Sequence, residues 1–177
     1  MRKVIFFAGA LALASLSTSA MAEGRPFVRV EGGHSQLHAD GSSDGDTAWS
    51  LRGGYAFNPN FALEGFYSKL YDATDNGVSG KVDGVGVGVV GKKNFGAEDT
   101  GFFIDGRAGV ARNKVKVGVA GLGSQSDTST KPYYGVGAGY DFNRNFGLSL
   151  NYDWNKADAF GFDGKVKTLT MGAEYRF

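Results

Sequence analysis

Histidine, serine, carboxylate and glycine groupings mark where this chain could do chemistry. Gly86-Val87-Gly88-Val89-Val90-Gly91 fits G-x-G-x-x-G, the glycine turn that sets a dinucleotide's pyrophosphate on a helix N-terminus. Here the motif lies inside an alternating strand pattern with no helix after it, so the anion-binding half of that device is missing. Asp40, Asp44 and Asp46 fall in one segment, but their spacing lacks the calcium-loop arrangement and its closing glutamate. His34 and His38 are the two histidines. Four apart in one strand they share a face, yet no further nitrogen or thiolate ligand exists to complete a zinc site. His34 and Ser35 bring a base next to a hydroxyl, but neighbouring strand residues point to opposite faces, which separates them. No catalytic, cofactor-binding or metal-binding residues are expected, and no cofactor.

What remains is charge, and its spacing is two. Arg29, Glu31, Arg52, Glu64, Lys92, Asp105, Arg107, Asp141, Asp153, Glu174 and Arg176 all fall on the polar parity of alternating segments. Five are basic and six acidic, so a set brought together in space nearly neutralises itself. Lone buried charges cost several kcal/mol each, so these residues are expected to pair.

The elements that would gather them follow from the same alternation. Phe177, Tyr175, Ala173, Met171 and Leu169 take one face of the last segment, with Arg176, Glu174, Gly172, Thr170 and Thr168 on the other; only a strand has that period. Eight such strands are predicted near 26–37, 47–57, 61–71, 81–95, 101–114, 131–142, 146–156 and 165–177. Short connections of turn formers at 58–60, 96–100 and 143–145 alternate with mostly longer ones at 38–46, 72–80, 115–130 and 157–164. A meander crossing a layer, trimmed on one side and decorated on the other, gives this pattern, and strands of eleven or more residues suit a tilted bilayer crossing.

Composition agrees. The 177 residues include 29 glycines, 14 Phe, 8 Tyr and 2 Trp, and no cysteine. Disulfide scaffolds, thiolate metal sites and cysteine nucleophiles are thereby excluded. A net charge of +1 offers no single-sign field for nucleic acid. Residues 1–22 read as a cleaved signal peptide: Arg2 and Lys3, an apolar run from Val4 to Leu16, and the small-x-small site Ala20-Met21-Ala22. The mature domain is then 23–177.

Parity assigns the two surfaces. Outward lie Val28, Val30, Leu51, Leu63, Val85, Val87, Val89, Ile104 and Val110. Phe57, Phe61, Phe95, Phe102, Phe142, Phe146 and Phe177 sit near the short turns or C-terminus, and Trp49, Tyr67, Tyr71, Tyr134 and Trp154 near the long connections. Two aromatic belts match two bilayer interfaces. The eleven charges face a lumen barely wide enough for side chains, where glycines leave them room. Parity also turns Phe66, Leu70 and Phe103 inward, through either a bulge or a small apolar layer. Lys69, Arg112, Lys156 and Lys167 face outward near the external interface, either as solvated strand ends or as partners of lipid phosphates.

The chain resembles the small eight-stranded outer-membrane barrels of the OmpA/OmpX type. The likeness rests on Tyr133-Tyr134-Gly135-Val136-Gly137-Ala138-Gly139-Tyr140-Asp141-Phe142, the turn and strand that follow, and the ending Gly172-Ala173-Glu174-Tyr175-Arg176-Phe177. It implies an all-β, antiparallel up-and-down transmembrane β-barrel in the outer membrane. It also implies that Tyr175 and Phe177 form the signal read by barrel-assembly machinery. Expected partners are outer-membrane lipids including lipopolysaccharide, that machinery, and a host or surface ligand at four external loops, with no nucleic acid. The favoured function is non-enzymatic, in envelope integrity, adhesion or surface contact. A narrow low-conductance channel and a lipid A-modifying enzyme are the alternatives.

One consequence is directly measurable. N-terminal sequencing of the protein recovered from outer membranes should begin at Glu23; a chain beginning earlier contradicts the cleavage assignment.

Overall fold

The computed structural model describes residues 24–39, 42–75, 78–119, 123–156 and 165–177. The expected signal segment 1–22, Glu23, the connection tips and Asp40 lie outside the described residues, as do the side chains of His38 and Tyr71. Eight strands follow one another: β1 (Arg25–Ala39), β2 (Ser42–Asn58), β3 (Phe61–Asp75), β4 (Val78–Asn94), β5 (Gly101–Val119), β6 (Gly123–Asp141), β7 (Phe146–Lys156) and β8 (Lys165–Arg176). Each pairs antiparallel with the next, and β8 returns to β1 to close the barrel. Closure leaves no unpaired edge. Phe27 opposes Arg176 at the seam, and the Phe177 N–H donates to the Pro26 carbonyl at 3.0 Å.

Two of the short turns use one device. In Asn58-Pro59-Asn60-Phe61, the Asn58 Oδ1 accepts the N–H groups of Asn60 and Phe61 at 2.8 and 2.9 Å. In Asn143-Arg144-Asn145-Phe146, the Asn143 Oδ1 accepts those of Asn145 and Phe146, both at 2.8 Å. An asparagine side chain thus replaces a backbone turn partner. The second asparagine then reaches sideways. Asn60 Nδ2 donates to the Lys92 carbonyl at 2.9 Å and Asn145 Nδ2 to the Arg176 carbonyl at 2.8 Å. Each turn is therefore tied to a strand outside its own hairpin. The third short connection holds a 3-10 turn (Ala97–Asp99), with Glu98 and Asp99 in the left-handed region and Gly101 at φ 86°.

At the other end the strands run past the expected bounds. Residues 42–46, 72–75, 78–80, 115–119 and 123–130, expected as connection, are strand. The β5–β6 ladder continues from Gly101 opposite Asp141 to Val119 opposite Gly123. The physical reason is solvation. Beyond the apolar band both faces of a hairpin meet water, so Ser, Thr and Asp can occupy both parities while the backbone ladder persists.

The apolar parity faces out. Val30, Val87, Val89, Ile104 and Leu150 are about half exposed or more, and Phe61, Phe95 and Phe177 more still. Trp49 meets Tyr67 with ring centroids 5.6 Å apart, and Tyr134 stacks on Trp154 at 5.5 Å. At the opposite end Phe95 stacks on Phe102 and Phe142 on Phe146.

Both explanations offered for the inward apolar residues hold, at different places. Phe66 and Phe103 point inward within regular ladders, whereas the register slips between Lys69 and Tyr71, a bulge that leaves Leu70 unpaired and buried. Leu70 packs with Val82 and Val166, and Val115 lies against them, closing the lumen towards the external end.

If the exposed aliphatic face is the one that meets lipid, Val87→Arg should lower stability by about 2–4 kcal/mol, the cost of a cation near the bilayer midplane. Urea unfolding in lipid vesicles measures it, and an unchanged midpoint contradicts the orientation.

Candidate functional site in the barrel lumen

The polar parity of the strands delivers its charges into the interior as two tiers. In the tier nearer the external end Glu31 is the hub. It accepts from Arg52 Nε at 2.9 Å, Ser50 Oγ at 2.8 Å and Arg107 Nη1 at 2.6 Å. Arg52 Nη1 also donates to Glu64 Oε1 at 2.8 Å, and the Tyr133 hydroxyl donates to the same oxygen at 2.8 Å. Arg107 grips Asp153 with two nitrogens, Nε at 2.6 Å and Nη2. The Arg52 guanidinium lies 4.5 Å from the centre of the Phe66 ring, which meets Tyr133 edge-on. Phe66 and Tyr133 therefore pack as a wall against which Arg52 stacks.

The second tier lies towards the short turns. Arg29 donates to Glu174 Oε2 through Nε at 2.8 Å and Nη2 at 2.5 Å. Arg176 Nε approaches Glu174 Oε1 at 2.8 Å, and its Nη2 bonds Asp141. Lys92 Nζ lies 2.7 Å from the other Asp141 oxygen and 3.8 Å from the centre of the Phe103 ring. Asn94 Nδ2 adds a 2.7 Å bond to Asp141. Arg29 Nη1 bridges the tiers loosely, at 3.7 Å from Glu31 and 3.9 Å from Asp105.

All eleven expected lumen charges thus face the interior, and ten of them join hydrogen-bonded or close ion pairs. Asp105 is different. Both its carboxylate oxygens are buried without a hydrogen-bond partner, and the cation beside them is Arg29 at 3.9 Å. It is the carboxylate left over when six anions share five cations.

Glycine makes the tiers possible. A Cβ at Gly135 would collide with Asp153 Oδ1 and press on Arg107 Nε, and one at Gly88 would collide with the Tyr133 hydroxyl. A side chain on the wall opposite these groups would expel them from the axis.

Void space ends within the network. A cavity of about 720 Å³ opens at the short-turn end, lined by Arg25, Phe27, Lys92, Asn94, Glu174 and Arg176 among others. Beyond it a second pocket, beside Glu31, Arg52, Phe66 and Asp153, has about 10 Å³. That is room for about one water.

A family model described as outer membrane protein beta-barrel domain matches residues 8–177. The chain belongs to that family. As a member of it the chain is a transmembrane barrel of the outer membrane, its short turns on the periplasmic side. Solved structures share the fold. Ail, the attachment invasion locus protein of Yersinia pestis, is 22% identical over 88% of this chain and 99% of its own, with a TM-score of 0.66. Neisserial surface protein A is 16% identical over 86% and 97%, with a TM-score of 0.71. The N-terminal barrel domain of Pseudomonas aeruginosa OprF is 16% identical over 88% and 100%, with a TM-score of 0.62. No curated protein matches the chain by sequence.

The other expected residues lie where this family barrel meets its surroundings. Tyr175 and Phe177 are exposed on the outer face, their rings edge-to-face at 5.1 Å. Lys69 opposes Trp49 and Lys167 opposes Trp154, while Arg112 is exposed in the external half of β5 and Lys156 at the external end of β7. His34 is exposed and Ser35 buried, its hydroxyl bonded to the Leu70 carbonyl, so the two do not meet. Among the described residues no His, Cys, Asp and Glu group is placed to hold a metal. Four residues beside this outer rim escaped the sequence reading. Lys81, Lys114, Lys116 and Lys165 point outward at the external end, Lys116 hidden by the early end assigned to β5. The alternation Lys114-Val115-Lys116-Val117 was the signal that could have found them.

Removing Glu31's charge takes one of its carboxylate partners from each of Arg52 and Arg107, leaving them Glu64 and Asp153. Glu31→Gln should cost about 3–5 kcal/mol, whereas Asp105→Asn, which neutralises the surplus carboxylate, should be near neutral or stabilising. Urea midpoints in lipid vesicles compare the two, and equal losses contradict the assignment of hub and surplus.

Proposed function

We propose that this protein is a non-enzymatic, sealed anchor that holds four strand hairpins above the outer membrane as a contact surface. The observation that carries the reading is the way the lumen ends. The periplasmic cavity of about 720 Å³ gives way to ionic tiers and a void of about 10 Å³, with Leu70, Val82 and Val166 packed beyond. A sealed axis leaves the hairpins and the outer rim as the surfaces that meet the environment. Ail, of the same fold, was solved in complex with the heparin analogue sucrose octasulfate. That precedent supports a surface-contact role for the hairpins here, in adhesion or envelope integrity. The separation of His34 from Ser35 on opposite faces of β1 supports a non-enzymatic reading. In this reading residues 1–22 direct export and are removed, Tyr175 and Phe177 address the chain to the assembly machinery, and the rim contacts outer-leaflet lipid.

The sealed axis is tested in planar bilayers. The purified wild-type barrel should give no steady ion-sized openings, and steady openings that persist after Arg52 and Glu64 are both neutralised would make it a channel. Mass spectrometry of lipid A from cells with and without the protein should show one acyl pattern. A pattern change abolished by His34→Ala would make it an enzyme.

A further inference from the structure

The two ionic tiers do not neutralise separately. The external tier sets Arg52 and Arg107 against Glu31, Glu64 and Asp153, whereas the periplasmic tier sets Arg29, Lys92 and Arg176 against Asp141 and Glu174. The periplasmic tier therefore carries a surplus cation, and Arg29, Lys92 and Arg176 all line the cavity of about 720 Å³. The mouth does not cancel that surplus. Arg25 and Asp99 line it with opposite charges, and Arg144 pairs with Glu98 at 3.1 Å. Lys92 also has donors to spare, since an ammonium carries three N–H groups. Its close carboxylate is Asp141 at 2.7 Å, while Glu174 Oε1 at 3.9 Å lies beyond hydrogen-bond reach. The side chain is 12% exposed, so those donors can be reached from the cavity.

A different chemistry lines the adjoining wall. Ala56, Ala62 and Val90 stand abreast on β2, β3 and β4, Ala56 opposite Ala62 and Ala62 opposite Val90. Phe27 of β1 joins them, its ring lying over Gly54, where a Cβ would collide with it. Alanine at two adjacent inward positions leaves open the volume that long side chains fill deeper in the lumen. The cavity thus has an ionic floor with one unspent positive charge and an apolar flank. Small-molecule sites have this character and this size, mostly apolar walls with a few placed polar groups.

We propose that the periplasmic cavity is a binding pocket for a small organic acid, its carboxylate on the Lys92 ammonium and its apolar body against Phe27, Ala56, Ala62 and Val90. One surplus cation matches one monoanion. A phosphate monoester, at about −1.5 to −2 near neutral pH, would overcharge the floor. The pocket goes beyond the contact surface at the external end and does not require a sealed axis, which conductance tests separately.

The test uses 3-phenylpropionate and the barrel in phosphatidylcholine nanodiscs, with the methyl resonances of buried Val90 and outward Val87 followed by NMR. Val90 should shift saturably and Val87 should not. Lys92→Gln leaves Asp141 its bonds to Arg176 and Asn94 and should weaken binding about tenfold or more, the loss of a hydrogen bond to a charged group. Ala62→Phe and the milder Ala56→Leu fill the apolar flank without changing charge. Whichever of them folds, as judged by heat-modifiable migration, should lose the saturable shift. Lys93→Gln, exposed on the outer face of the same strand as Lys92, should bind as wild type. The proposal is overturned if Lys92→Gln keeps full affinity, if a folded filled variant still saturates, or if Val87 shifts in step with Val90, since the acid is then entering the lipid. It is also overturned if 3-phenylpropanol or inorganic phosphate binds as tightly as the acid, since the cavity then reads the apolar body alone or the charge alone.

Discussion

A carboxylate surrounded by guanidinium groups sits where the axis of this barrel would otherwise be open. Glu31 is 1% exposed and takes hydrogen bonds from Arg52 and Arg107, with Arg29 at 3.7 Å. Its partners come from β2 and β5, so one side chain ties the walls of the barrel across the lumen. In a narrow interior charges have little water to turn to, and breaking one pair leaves its partner buried and uncompensated. The network therefore fixes what its neighbours can be. Gly88 and Gly135 must lack side chains because Tyr133 and Asp153 occupy that space. Phe66 and Phe103 face inward because flat rings can carry cations where aliphatic groups would only fill volume.

The periplasmic tier is organised from outside the lumen as well as within it. Asn60 and Asn145, the third-position residues of two identically built turns, hold the backbone of Lys92 and Arg176. Those two residues then converge on Asp141 from opposite sides. A short turn that looks like a mere connection thus positions a buried cation one strand away. Asn94 joins the same carboxylate from the remaining periplasmic turn, where it also bonds the Asp99 carbonyl. The three turns and the ionic floor above them are mechanically one unit.

Facing was legible in the sequence because a period of two sorts residues onto two surfaces that differ as much as lipid and ionic lumen. Once the strands existed, their order and closure followed. Pairing was not legible. Arg107 and Glu31 are 76 residues apart and meet across the interior, because a guanidinium can reach more than one neighbouring strand. Nor could parity show that Asp105 would lack a hydrogen bond while Asp141 would collect three partners. The external ends were misjudged for a different reason. Ser, Thr, Asp and Gly signal connection where one face is buried, but a hairpin standing in water has no buried face to betray it. The alternation Lys114-Val115-Lys116-Val117 survived because Val115 still packs against the cluster of Leu70, Val82 and Val166.

The near-neutral total charge conceals a segregation that gives the two surfaces different fates. Inside, five cations and every anion but Asp105 consume one another in hydrogen bonds or close ion pairs and add rigidity, with little field left over. Outside, at the external end, the described facing positions hold Lys69, Lys81, Arg112, Lys114, Lys116, Lys156, Lys165 and Lys167 against Asp72 and Asp83. Surface cations gain little from isolated pairing in water, and clustering like charges on paired strands costs stability. A fold needing only solubility at its rim would mix the signs. The rim's excess is instead of one sign, and it is held there by strands whose inner faces are already locked by charge.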